Sequence, residues 1–145
     1  MTRFWRYALI AVGIVFLANL GIGAYLLTHG PDDPLGAFPV QRVVEVTAEG
    51  VTIEGTKCAD RPVRISGESF WRSVDTPGLA VPLALGVRQH PGGCETRVYY
   101  NLFPAAVIAH PGVWQIVGTS CPIDDDGKRV GLCRSFETAN FQVEG

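Results

Sequence analysis

The chain is poor in the residues and spacings that carry most enzyme chemistry. It has one methionine and three histidines, and ten of its twelve basic side chains are arginine. No G-x-S-x-G surrounds Ser66, Ser69, Ser73, Ser120 or Ser135, so the nucleophile elbow of the hydrolases is missing. Glycine patterns for phosphates or dinucleotides are missing as well. Cys58, Cys94, Cys121 and Cys133 form no C-x-x-C pair for thiol redox and no closely spaced knuckle for zinc. Asp124-Asp125-Asp126-Gly127 starts like a calcium loop, but Cys133 stands where the bidentate glutamate belongs, so it reads as an acidic hairpin tip. No metal and no cofactor are expected. A net charge of −2 gives no basic field for nucleic acid. No N-x-S/T acceptor occurs.

Charge is also missing from one long stretch. Tyr7 to Thr28 carries none, and Tyr7–Leu27 reads YALIAVGIVFLANLGIGAYLL. At ~1.5 Å rise per residue such a helix spans roughly 31 Å, matching a hydrocarbon core of about 30 Å. Arg3 and Arg6 precede it and Asp32 and Asp33 follow it, which holds the amino terminus in the cytoplasm. The sequence therefore predicts a cytoplasmic tail over 1–6, a transmembrane helix over 7–28, a Pro/Gly linker over 29–38 and an extracytoplasmic domain over 39–145. The expected location is the cytoplasmic membrane, with the bilayer as one partner. A cleaved signal peptide is the rival reading; its apolar region would be shorter, and Ile22-Gly23-Ala24 is not an A-x-A site. Asn19 is either a contact to a second helix or a tolerated amide.

Residues 39–145 have β texture. Val43–Thr47 and Val51–Thr56 flank a Gly50 turn as a hairpin. Val63–Ser66, extended or followed by Glu68–Val74, gives further strand before the Asp75-Thr76-Pro77-Gly78 turn. Leu79–Val87 is apolar, but Pro82 confines it to an edge or an irregular crossing. His90–Gly93 reads as a loop, Glu95–Phe103 as a strand, and Pro104–His110 as one or two helical turns. Val113–Cys121 and Arg134–Glu144 complete about seven strands. The expected fold is mainly β, an antiparallel immunoglobulin-like β-sandwich after one transmembrane helix.

An even number of cysteines on the outer side predicts two disulfides. Cys121 and Cys133 flank the acidic tip by nearly equal arms, which pairs them and leaves Cys58 with Cys94. Cys58 and Trp71 have the spacing of the immunoglobulin core cysteine and tryptophan, an alternative that would join Cys58 to Cys121 across the sheets. The tyrosine expected before Cys121 is replaced by Thr119-Ser120.

The stretch Tyr99–Val143, through HPGVWQIVGTSCPI, the acidic turn and RSFETANFQV, resembles small single-pass membrane proteins of actinobacterial bacteriophages. That resemblance implies one amino-terminal helix, a small β ectodomain and action at the host envelope; it implies no catalytic residue. The function expected from all of this is non-enzymatic: a membrane-anchored module that binds a protein or envelope component, with no nucleic acid partner. The alternatives are an accessory subunit pairing through the helix, or an envelope enzyme using His90 or His110.

Overall fold

The computed structural model describes residues 12–15, 19–20, 22 and 33–145. They fall into two units, Met1–Asp32 and Asp33–Gly145. In the first, the described residues are helical, and Asn19 Nδ2 donates to the Val15 carbonyl at 2.8 Å, one turn back. No helix among the described residues is long and apolar enough to cross a membrane. The expected tail over 1–6, and most of the expected span over 7–28, lie outside the described residues.

The second unit is mainly β, with two antiparallel sheets. Its strands are β1 (Arg42–Val46), β2 (Gly50–Ala59), β3 (Val63–Ser73), β4 (Ala80–His90), β5 (Gly93–Leu102), β6 (Gly112–Ile123), β7 (Arg134–Glu137) and β8 (Phe141–Val143). One short helix, α1 (Ala105–Ile108), follows Pro104. The first sheet has the order β1-β2-β5 and the second β4-β3-β6-β7, with β8 also on β6. Leu79–Val87 resolves as an edge strand: among the described residues β4 pairs only with β3, and the register slips where Pro82 faces Phe70. The expected last strand is split into β7 and β8: Thr138 still holds Ile116, its amide donating to the Ile116 carbonyl and its hydroxyl accepting the Ile116 amide, both at 2.9 Å, but Ala139 turns its amide to the Gln41 carbonyl.

Alternation sets the core. On β2 the inward positions are Val51, Ile53, Gly55, Lys57 and Ala59. Val51 and Ile53 of one sheet join Trp71, Trp114 and Ile116 of the other in one buried cluster, an arrangement compatible with a β-sandwich. Trp71 is 1% exposed and meets Phe103 and Phe141 edge-on, at 5.6 and 6.0 Å between centroids.

The domain begins earlier than expected. Residues 33–38, expected as part of an extended stalk, are packed onto the sheets. Pro34 and Leu35 are buried, Gly36 N donates to Cys58 O, Asp60 N donates to Pro34 O, and Asp33 pairs with Arg134. With Gln41 bridging Thr138, this segment closes the seam between the β1 side of one sheet and the β7–β8 side of the other. Apolar Leu35 and Phe38 drive that packing against Ala59, Val63 and Ile65.

Candidate functional site

Both disulfides form as the hairpin geometry predicts. Cys58 bonds Cys94 and Cys121 bonds Cys133, with Cα–Cα distances of 4.0 and 4.1 Å; no cysteine is free. Cys58 and Cys94 are direct cross-strand partners on β2 and β5. Cys58 therefore faces away from the core, between inward-facing Lys57 and Ala59, and the core-cysteine alternative does not hold. Trp71 keeps its core position without a bridge beside it.

The two candidate histidines do not meet. His90 lies opposite Val63 at the start of β3, and His110 precedes β6, whose Trp114 faces Ser73 at the end of β3. Ten residues of strand, roughly 33 Å, separate those two ends. His90 is fully buried. Its Nδ1 accepts the Gly92 amide and its Nε2 therefore carries the proton, donating to Lys57 O at 3.1 Å. Both nitrogens thus hold the corner between β4 and β5. At that corner Gly92 has φ +90°, and a Cβ there would meet the Arg61 carbonyl carbon at 3.0 Å. His110 Nδ1 donates to Ala106 O at 2.9 Å. At the acidic tip, the Asp124 carboxylate accepts the Lys128 amide, and Arg64 takes the carbonyls of Asp124 and Asp125. Among the described residues no group of three or more acidic, histidine or cysteine side chains could hold a metal ion.

What the topology does bring together is a cavity of about 330 Å³ between the sheets. The free edges β4 and β5 border its mouth, and Arg88 Nη1 donates to Tyr99 OH across the gap at 3.1 Å. The walls are mostly apolar: Ile53, Ile65, Leu83, Ile116 and Phe136. The opposite seam is closed by residues 33–41, so this side alone is left open among the described residues.

Lys57 enters the cavity from β2. Its Nζ donates to Ser120 Oγ at 3.0 Å and lies 4.6 Å from the Phe136 ring centroid and 5.2 Å from that of Phe38. Burial, and secondarily the Arg88 guanidinium, push the amine down to about 8 from 10.5. Glu95 is its cross-strand neighbour but pairs with Arg97 at 2.6 Å instead. The Arg97 hydrogen bond holds the Glu95 carboxyl low, and the same contact raises Arg97. Among the described residues, neither Lys57 nor Arg88 has a carboxylate within ion-pair distance, although the Arg88 charge also helps to hold the Glu95 carboxyl low. A serine beside a neutralised lysine can serve as a nucleophile. Here Ser120 is buried in the middle of β6, with β3 and β7 paired on either side, so its amide belongs to the ladder and offers no oxyanion donor. The arrangement suits binding rather than acyl transfer.

Sequence reasoning missed Lys57, Arg88, Tyr99 and the cavity. One signal was present: Lys57 falls in the inward period-2 series with Val51, Ile53 and Ala59. No protein-family model matches this chain, and no curated protein does either.

Proposed function

We propose that this chain is a single-pass protein of the cytoplasmic membrane, with its amino terminus inside, carrying an immunoglobulin-like sandwich outside as a binding module. The open β4–β5 side is its binding element. The observation that carries this reading is the cavity there, where half-buried Lys57 makes no ion pair among the described residues. A domain selected for stability alone gains nothing from such a group.

Other features support the parts. The strand order β1-β2-β5 over β4-β3-β6-β7, the helix between β5 and β6, and core Trp71 support the immunoglobulin-like reading. Two formed disulfides suit an oxidising compartment. The uncharged run 7–28, after Arg3 and Arg6, supports the anchor and its orientation. The resemblance to phage membrane proteins supports action at a host envelope. Against the accessory-subunit alternative, Asn19 turns its amide donor back onto Val15. The envelope-enzyme alternative meets a His90 whose ring nitrogens both serve the backbone.

A photo-crosslinking residue placed at Tyr99, and in a second variant at Asp126, tests the reading in native membranes. Adducts at position 99 that are missing at 126 are expected. Equal capture at both positions, or none at 99, would overturn the β4–β5 assignment.

A further inference from the structure

We infer that the cavity between the sheets is a site for a small amphipathic anion, a carboxylate or phosphate on a short apolar stem. Its headgroup would sit between Lys57 and Arg88, and its stem against Ile53, Ile65, Leu83 and Ile116. This deepens the binding-module reading and rests on it.

Three observations select that chemistry. The first is charge. Lys57, Arg88 and Arg97 line the space; Glu95, the acidic residue nearest Lys57 in the ladder, gives one oxygen to Arg97 and keeps the other buried without a hydrogen-bond partner, so it offsets one of those three charges. Glu68 also lines the cavity, but it alternates with inward-facing Gly67 and Ser69, opposite exposed Leu85 on the outer face of its sheet. The interior thus carries an excess of positive charge in a poorly hydrated space, where an anion is favoured more than in water. The second is polarity. Most of the wall is aliphatic or aromatic, so a bare inorganic anion would leave it unfilled, while an apolar stem would cover it. The third is size and access. About 330 Å³ lies at the small end of ligand pockets, and the mouth opens between two unpaired edges.

The anion would displace no existing ion pair. Lys57 donates now to a neutral hydroxyl and faces two rings, and Arg88 donates to a neutral phenol. Both keep donors to spare. Their headgroup contacts would be charge-assisted, roughly twice as strong as the neutral ones present.

The chain has two lysines, Lys57 and Lys128, so lysine-selective ¹³Cε labelling gives two resolvable signals. The experiment uses the full chain in nanodiscs of a zwitterionic lipid. Sodium octanoate, or octyl phosphate, should raise the Lys57 titration midpoint by about one unit, equivalent to about tenfold tighter anion binding to the charged amine. The Lys128 signal should stay in place. Octanol, which has the stem without the charge, should leave the midpoint unmoved, and acetate, which lacks the stem, should act at least about tenfold more weakly. Substituting Lys57→Met keeps an unbranched side chain one atom shorter and removes the charge. That variant should lose octanoate's ability to displace the fluorescent anion anilinonaphthalene sulfonate from the protein, with its fold checked by circular dichroism. Nanodiscs containing phosphatidylglycerol distinguish the source: a raised midpoint without added octanoate assigns the site to a lipid headgroup. No shift with octanoate or octyl phosphate at about 10 mM, or an equal shift with acetate, would overturn the inference. Position-specific crosslinking at Tyr99 would still test the module itself, so the two can fail separately.

Discussion

Removing the charge of Lys57 should stabilise the protein near neutral pH and destabilise it in alkali. Lowering an amine from 10.5 to about 8 corresponds to roughly 3 kcal/mol, at about 1.4 kcal/mol per tenfold change. Partial contact with solvent and the two ring faces reduce this to about 2 kcal/mol. The sign follows from proton binding. Below pH 8 the amine is charged in the folded and the unfolded chain, and the folded chain carries the full cost of holding that charge. Between 8 and 10.5 the unfolded chain holds more protons, so the contribution of Lys57 to stability rises with pH. Lys57→Met removes the cost but leaves the buried Ser120 hydroxyl without its donor, a loss of about 1 kcal/mol. The variant should therefore be about 1 kcal/mol more stable than the parent near pH 7 and about 1 kcal/mol less stable by pH 10.5. Urea unfolding of the full chain, followed by the fluorescence of buried Trp71 and Trp114, measures both ends, and tyrosine ionisation cancels in the difference. An advantage that stays flat, or grows, from pH 7 to 10.5 would refute the assignment of a charged amine held in an apolar space.

Three further outcomes can be checked directly. Trp71→Ala, which empties a site between Phe103 and Phe141, should cost about 3–5 kcal/mol in the same unfolding assay. Replacing Cys58 and Cys94 by alanine should cost about 4 kcal/mol and replacing Cys121 and Cys133 about 3 kcal/mol, because the first bridge closes the longer loop. A periplasmic-type reporter fused after Gly145 should be active only outside the cytoplasm, and the intact chain should stay in the membrane after a carbonate wash; activity inside would contradict the orientation.

The sequence exposes the parts of this fold that are local. Val43–Thr47 and Val51–Thr56 contain their own turn, and the arms of the acidic tip bring Cys121 opposite Cys133 because Ser120 pairs with Arg134 in the same ladder. Pro82 marks β4 as an edge because it removes a ladder donor. Long-range pairing is much less visible. That β2 would lie against β5, placing Cys58 beside Cys94 and Ile53 beside Tyr99, is decided by burial of one shared core and not by any turn. Residues 33–38 depart from the expected linker for a related reason. Its prolines and glycines suggest a stalk, but Leu35 and Phe38 are apolar enough to seal a seam that the strands leave open. The cavity is the least legible feature, since its walls are drawn from both sheets, from Gln41 to Phe136, and its two edges, β4 and β5, are neighbours in sequence that enter different sheets. Lys57 shows only as a charged residue in an inward series, the kind of local inconsistency that marks a functional position.

The proposed site is a cavity that faces the outside of the cell with Lys57 in it, and one labelling measurement addresses both halves of that proposal. Intact cells are treated with a membrane-impermeant acylating reagent, with and without octanoate, and the chain is mapped by mass spectrometry at its two lysines. Acylation of Lys57 and Lys128 without lysis, with octanoate protecting Lys57 alone, is the predicted result; lysines that react only after lysis, or a Lys57 indifferent to octanoate, would contradict it.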